Sequence, residues 1–113
     1  MVTSQKVGFR IPKRTARLVF EGDYEGAEVV VRLDVPVGIF LEIQDLVEEE
    51  KQLKEFELFG DAVLDEWNIE DSEGNPLPCN GKGMNLVPVT LANAILAEWS
   101  EVAVQASSPL ENN

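Results

Sequence analysis

The hydrophobic and polar residues of this chain alternate in two short segments and then recur at helical spacing in three longer ones. Residues 16–20 alternate apolar with other side chains, and within residues 27–34 every second position from Val29 to Leu33 is apolar. This period of two is typical of β-strands. Turn-forming residues 21–26 lie between the two segments. The pattern predicts a β-hairpin, and because two strands alone are only marginally stable in water, we expect a helix to cover its apolar face.

Three later segments carry apolar residues at the i, i+3, i+4 and i+7 positions that form one face of a helix. The first helix is expected to begin near Pro36, and the acidic residues 48–50 at its end are unfavourable for the helix dipole, so we expect a break there. The second is expected to continue to Trp67, and the third to begin at Pro88 and end by Ala106. The apolar faces comprise Ile39, Phe40, Ile43, Leu46 and Val47; Leu53, Phe56, Phe59, Val63, Leu64 and Trp67; and Leu91, Ala92, Ile95, Leu96, Trp99 and Val102.

The predicted fold class is therefore α+β, with an N-terminal β-hairpin, about three helices and a Gly/Pro-rich loop before the last helix. A chain of 113 residues is the size of one ordinary domain. We expect a flexible basic N-terminal arm over residues 1–15, a single α+β domain over residues 16–106 and a disordered tail over residues 107–113. The predicted core comprises Leu18, Phe20, Val29, Val31, Ile39, Phe40, Ile43, Phe56, Phe59, Val63, Trp67, Ile95 and Trp99.

Charge restricts the partners of this protein. Asp and Glu number 21 against nine Lys and Arg, which leaves a net charge of −12 without any histidine. Such a surface repels nucleic-acid phosphates and anionic membranes, so we expect neither as a partner. No run of about 18 apolar residues exists for a membrane span, the start lacks the layout of a secretion signal, and the lone Cys79 forms no intrachain disulfide. These features predict a soluble intracellular protein.

Five of the nine basic residues lie within the first 17 positions, and the rest of the chain is acidic. One interpretation is a flexible basic leader on an acidic, solubilised body. The other is that the leader binds an acidic neighbour, including another copy of this protein, in head-to-tail self-association. The candidate partner-binding residues are Lys6, Arg10, Lys13, Arg14, Arg17, Glu48, Glu49 and Glu50.

The loop around residues 65–84 contains residue types that also occur in catalytic and metal sites. An EF-hand loop starting at Asp71 would need glycine where Pro76 stands and glutamate where Lys82 stands, so the calcium motif fails. The glycines around Lys82 lack the spacing of a Walker phosphate loop, and Cys79 has no histidine to activate it. The carboxylates of residues 61–66 suit a solvated helix face better than acid–base catalysis. We therefore expect no enzyme activity, no catalytic residues, no metal and no cofactor.

The residues of the same loop are typical of a structural turn and connection. Gly74 can adopt positive φ, and Asn75 before a proline favours extended geometry, which together predict a tight reversal. We expect the loop to pack against two tryptophans. The residues assigned to this structural loop are Trp67, Asn68, Asp71, Gly74, Pro76, Pro78 and Trp99.

Several segments resemble a group of small phage and prophage proteins from actinobacterial hosts. The segments are RLVFEGDYEG (17–26), EVVVR (28–32), FGDAVL (59–64), EWNIED (66–71), GNPLP (74–78) and AILAEW (94–99). The pattern WN-apolar-ED-x-x-G-x-P-x-P is the most recognisable, and the similarity covers roughly residues 16–104. These proteins resemble the tail assembly chaperones of long-tailed (siphovirus-type) actinobacteriophages.

The resemblance implies a non-enzymatic chaperone that binds tape-measure and tail-tube proteins during tail morphogenesis in the host cytoplasm. It also implies that the chaperone is absent from the finished virion, and that this chain is the short form beside a frameshifted long form. Two other binding functions stay open: a virion structural protein (head–tail connector, capsid accessory or tail component), which a basic arm would suit, and an acidic inhibitor that mimics DNA charge.

Overall fold

The structure, a computed structural model, describes residues 6–107 and combines a three-stranded antiparallel sheet with four helices. The strands lie in the order β1-β2-β3. Their bounds are β1 Thr15–Val19, β2 Glu28–Arg32 and β3 Leu64–Trp67. The helices are α1 Val37–Glu48, α2 Gln52–Ala62, α3 Gly81–Met84 and α4 Val89–Ser107, and a 3₁₀ turn spans Gly22–Tyr24. The predicted α+β class with an N-terminal hairpin and a long last helix is confirmed.

The hairpin of β1 and β2 buries apolar residues at alternate positions, as predicted. Leu18 lies opposite Val29, and Ala16 lies opposite Val31. Leu18, Val29 and Val31 are buried on one face, as their alternation predicts. Gly22 and Gly26, at φ 69° and 99°, supply the left-handed conformations that the connection between the strands requires.

The prediction that the second helix continues to Trp67 is wrong. The helix ends at Ala62, and residues from Leu64 to Trp67 form β3 along the free edge of β2. The carbonyl of Val63 accepts a hydrogen bond from the Arg32 N–H at 2.8 Å. A short apolar run fits both periodicities, and here the open strand edge supplies hydrogen-bond partners that a helix end lacks.

The acidic end of α1 breaks the helix as predicted. The helix ends at Glu48, and Glu50 adopts a φ of 57°, which allows the Lys51 N–H to bond to the carbonyl of Leu46 at 2.9 Å. A left-handed residue that closes a helix in this way is a common C-terminal cap. The chain then turns directly into α2.

One core joins the sheet to the helices, with Trp99 of α4 near its centre. The indole ring of Trp99 lies 5.3 Å from the ring of Phe59 in an edge-on contact and 5.9 Å from the ring of Phe40, between ring centroids. Of the predicted core, Phe20, Ile39, Phe40 and Trp67 are half-buried and pack against it, and the others are buried. The buried hydrophobic residues that the prediction omitted are Leu64, Met84, Val87, Leu91 and Ala92.

The structure describes only part of the predicted N-terminal arm and little of the predicted C-terminal tail. Residues 1–5 of the predicted arm and residues 108–113 of the predicted tail lie outside the described residues, and residues 6–14 have no helix or strand. Across residues 6–107, no helix is long and apolar enough to cross a membrane.

Candidate functional site

The loop that follows β3 is held against the strand by Trp67 and Asn68. The indole Nε1 of Trp67 donates to the Leu77 carbonyl at 2.9 Å. The side chain of Asn68 accepts from the Glu28 N–H at 2.8 Å and donates to the Gly26 carbonyl at 3.0 Å, which joins the loop to the hairpin. Both residues therefore connect the loop to the sheet.

The tight reversal in the loop is built on Asp71. Its carboxylate accepts hydrogen bonds from the N–H groups of Glu73 and Asn75, each at 2.9 Å. Gly74 adopts the positive φ of 86° that its position requires. The hydrogen bonds, above all the one from Asn75, lower the pKa of Asp71 below its ordinary value. Its carboxylate thus stabilises the turn, and a bridge between Glu70 and Pro76 closes it.

Beyond Pro78, the loop packs against α2 through glycines. A Cβ atom at Gly60 would lie 2.5 Å from the carbonyl carbon of Asn80, so only glycine allows the backbones to approach this closely. The Gly81 N–H donates to the Asp61 carboxylate at 2.7 Å. Asn80 caps α3 by accepting from the Gly83 N–H at 3.0 Å. These contacts explain the glycine inside α2.

The thiol of Cys79 is unsuited to nucleophilic chemistry. Cys79 is half-buried within the loop. Burial, assisted by the negative charges of Asp65 and Glu66, raises the pKa of Cys79 to about 11. A reactive cysteine needs the opposite environment, with nearby positive charge. Within the described part of the chain, no group of three or more His, Cys, Asp or Glu residues is arranged to hold a metal ion.

Three of the five predicted basic partner-binding residues form ion pairs with the sheet region of the same chain. Two hydrogen bonds of 2.8 and 2.9 Å join the Arg14 guanidinium to Asp34, and this contact lowers the pKa of the Asp34 carboxyl. Lys13 pairs with Asp65 at 3.5 Å. Arg17 pairs with Glu28 at 3.1 Å. Lys6 and Arg10 lie farther out on the exposed arm.

The predicted acidic residues of the same set lie at the end of α1. Glu49 pairs with Lys51 at 3.2 Å, and Glu50 forms the left-handed cap. Glu48 lines a surface cavity. Within residues 6–107, no ion pair joins these acidic residues to the five basic residues of the predicted set.

An apolar groove between α1 and α4 is the feature that sequence reasoning missed. It consists of two adjoining cavities of about 200 and about 390 Å³ that share Phe40, Trp99 and Val104. The β2–α1 connection forms one end of it. We call this feature the α1/α4 groove, and its other lining residues are Leu33, Val35, Val37, Ile43, Gln44, Val47, Glu48, Leu96, Ser100 and Ala103.

The two helices that border the groove carry only negative charge. Helix α1 contains Glu42, Asp45 and Glu48, helix α4 contains Glu98 and Glu101, and neither helix contains Lys or Arg. An apolar floor between acidic helices favours a partner that is apolar on one face and basic on another. The indole Nε1 of Trp99 is buried in the groove wall and has no hydrogen-bond partner among the described residues.

The sequence contained one signal for this groove. The alternation of apolar residues continues beyond the end of β2, at Leu33, Val35 and Val37. Because these three residues lie outside the strand, the sheet does not account for their apolar side chains. Both Phe40 and Trp99 were predicted to be core residues. Trp99 is buried in the core, whereas Phe40 is half-buried and lines the groove. Helical periodicity shows which face of a helix is apolar but not whether a neighbouring helix covers it. The distance between α1 and α4 is set by the tertiary structure, so the periodicity of either helix cannot predict it.

Comparisons with known proteins give no family for this chain. No family model matches it, and neither a curated protein sequence nor a solved structure matches it significantly.

Proposed function

We propose that this chain is a non-enzymatic binding protein that covers an apolar helical segment of another protein. The α1/α4 groove is the observation that carries the proposal, because it leaves the apolar side chains of Val37 and Phe40 accessible at the surface, beside the buried ring of Trp99. Amphipathic helices bind such grooves through side chains spaced three or four residues apart. The acidic surface around it keeps a complex with an apolar partner soluble.

In its specific form, the proposal is a phage tail assembly chaperone, which rests on the resemblance of residues 16–104. Its partners are then the tape-measure and tail-tube proteins, and it acts in the host cytoplasm during tail morphogenesis. The long apolar helices of a tape-measure protein would aggregate unless another protein binds their apolar faces until the tail tube polymerises around them. A groove of modest size suits this function because the partner must later be released.

The test is co-expression with the tape-measure protein of a long-tailed actinobacteriophage, followed by measurement of soluble tape-measure protein. Two valines provide matched variants. Val37 and Val89 each occupy the first position of a helix, each follows a proline, and they are 73% and 55% exposed. Val37 lines the groove, whereas Val89 is not among the groove residues. Aspartate is tolerated at both positions because a helix N-terminus favours negative charge.

We expect wild-type protein and Val89→Asp to keep the tape-measure protein soluble, and Val37→Asp to lose most of that effect. Equal activity of the two variants would refute a role for the groove, and no effect of the wild-type protein would refute the chaperone.

A virion structural protein is the second candidate, and the exposed arm of residues 6–14 supports it, because assembling subunits commonly exchange such segments. Mass spectrometry of purified virions separates the two functions. Stoichiometric amounts of this chain in virions favour the structural protein, and its absence favours the chaperone.

A further inference from the structure

Residues 6–11 of the N-terminal arm alternate apolar with basic or small residues, and their three large apolar side chains are exposed. The side chains of Val7, Phe9 and Ile11 are 95%, 85% and 73% exposed. Lys6 and Arg10 lie between or beside them, and no ion pair within residues 6–107 involves either residue. Alternation of this kind gives an extended segment one apolar edge. Three large apolar side chains on one short segment indicate a contact surface.

The base of this arm is fixed on the domain. Arg14 pairs with Asp34, its carbonyl accepts a hydrogen bond from the Leu33 N–H at 2.9 Å, and Lys13 reaches Asp65. The arm therefore leaves the sheet in a defined position, and none of residues 6–11 lines the groove of its own chain.

We propose that residues 6–11 of one copy bind in the α1/α4 groove of a second copy. The proposal uses the groove but does not depend on the tail-assembly function. From Val7 to Ile11 an extended chain spans roughly 13 Å, and α1, with its 12 residues, is roughly 18 Å long. The segment from Val7 to Ile11 is thus short enough to lie along α1, with its three apolar side chains facing the apolar floor of the groove.

Charge favours the same pairing. Lys6 and Arg10 are free to meet the acidic residues of α1 and α4, which carry no basic residue. Glu48 lies directly at the groove. Complementary charge at the rim of an apolar contact adds orientation and specificity. A second copy supplies both the apolar edge and the two positive charges that the groove lacks.

The arm and the groove are different surfaces, so each copy offers one of each. Two copies can exchange arms and close as a dimer, or each arm can bind the next copy and form a ring or an open chain. In every case, one functional arm and one functional groove are sufficient for a single contact. This property allows a complementation test.

The test measures molar mass by size-exclusion chromatography with light scattering on the full-length chain. We expect the wild-type protein to associate in a concentration-dependent way, whereas Phe9→Ser and Val37→Asp are each monomeric. An equimolar mixture of Phe9→Ser and Val37→Asp restores a dimer, because the first keeps its groove and the second keeps its arm. Val89→Asp retains wild-type association.

Arg10→Glu tests the charge pairing. Its control is Lys82→Glu, which makes the same charge change in α3, at a residue that belongs neither to the arm nor to the groove lining. We expect at least a tenfold weaker association for Arg10→Glu and little change for Lys82→Glu. A wild-type protein that stays monomeric at high concentration would overturn the proposal, and so would variants that associate normally or a mixture that stays monomeric. A monomer whose arm is nevertheless protected from proteolysis would show that the arm binds its own groove.

Discussion

Trp67 donates a hydrogen bond from its indole Nε1 to the main-chain carbonyl of Leu77 at 2.9 Å, across the loop that follows β3. This single bond joins the last residue of the strand to the middle of the loop. A Cβ atom at Gly83 would lie 2.9 Å from the Cζ2 atom of the same indole and even closer to the Pro78 carbonyl oxygen, so the ring packs against the backbone of α3. The loop is thus held by one polar and one packing contact of the same side chain.

Trp67→Phe should lower the free energy of unfolding by about 1–2 kcal/mol, because the Leu77 carbonyl loses its donor. Trp67→Ala also removes the packing and should cost about 2–4 kcal/mol, less than for a fully buried tryptophan since Trp67 is half-buried. Urea denaturation measures both. The exposed Val19→Ala serves as a control that should change stability by less than about 0.5 kcal/mol. A loss below about 1 kcal/mol for Trp67→Ala would contradict this role of the ring.

Two helical glycines should respond to alanine with opposite signs. A Cβ atom at Gly60 would lie 2.5 Å from Asn80 backbone atoms, whereas a Cβ atom at Gly38 would meet nothing within 4 Å. Gly60→Ala should therefore destabilise the protein by about 1–3 kcal/mol, and Gly38→Ala should stabilise it by about 0.5–1 kcal/mol through helix propensity. Thermal and urea unfolding of both variants would test this, and stabilisation by Gly60→Ala would show that the loop is not packed against α2.

The side chain of Glu55 should make stability depend on pH. Glu55 is only 7% exposed, and burial raises the pKa of its carboxyl above the ordinary value of 4.5. Folding thus favours the protonated carboxyl. The stability that this protonated form allows is fully present below the ordinary pKa, and it is lost as the pH rises through the raised pKa of the folded state. Compared with the wild type, Glu55→Gln should have similar stability at acidic pH and greater stability at neutral pH. Parallel stability–pH profiles for the two proteins would be the opposite result.

Cys79 should react slowly with thiol reagents. With a pKa of about 11, only about one thousandth of the thiol is ionised at pH 8. We expect its reaction with a disulfide reagent to be at least about 100-fold slower than that of free cysteine, and to accelerate about tenfold for each pH unit up to pH 10. Unfolding in urea should restore the ordinary rate. Rapid reaction of the native protein at pH 8 would mean that the thiol is accessible and ionised.

Local periodicity predicted the hairpin, the start of α1 at Val37 and the extent of α4, because those segments bury one regular face. It failed at β3, where the strand forms only because β2 has a free edge, which no local pattern records. It also missed α3, a single turn in which Gly81 packs against α2 and Gly83 packs against Pro78 and Trp67. The α1/α4 groove depends on the distance between two helices that are far apart in sequence, so each helix face resembled ordinary core.

The central claim is that the α1/α4 groove binds an apolar helical segment, and methyl NMR tests it residue by residue. A methyl-labelled sample would be titrated with an amphipathic helical peptide taken from the tape-measure protein of a long-tailed actinobacteriophage, the partner proposed above. We predict that the methyl signals of Val37, Leu96 and Val104, which line the groove, shift with a common saturation curve. The exposed methyl groups of Val19, Leu53 and Val89, which are not among the groove residues, should stay in place. Shifts confined to that second group, or no shifts at a saturating concentration, would contradict the account.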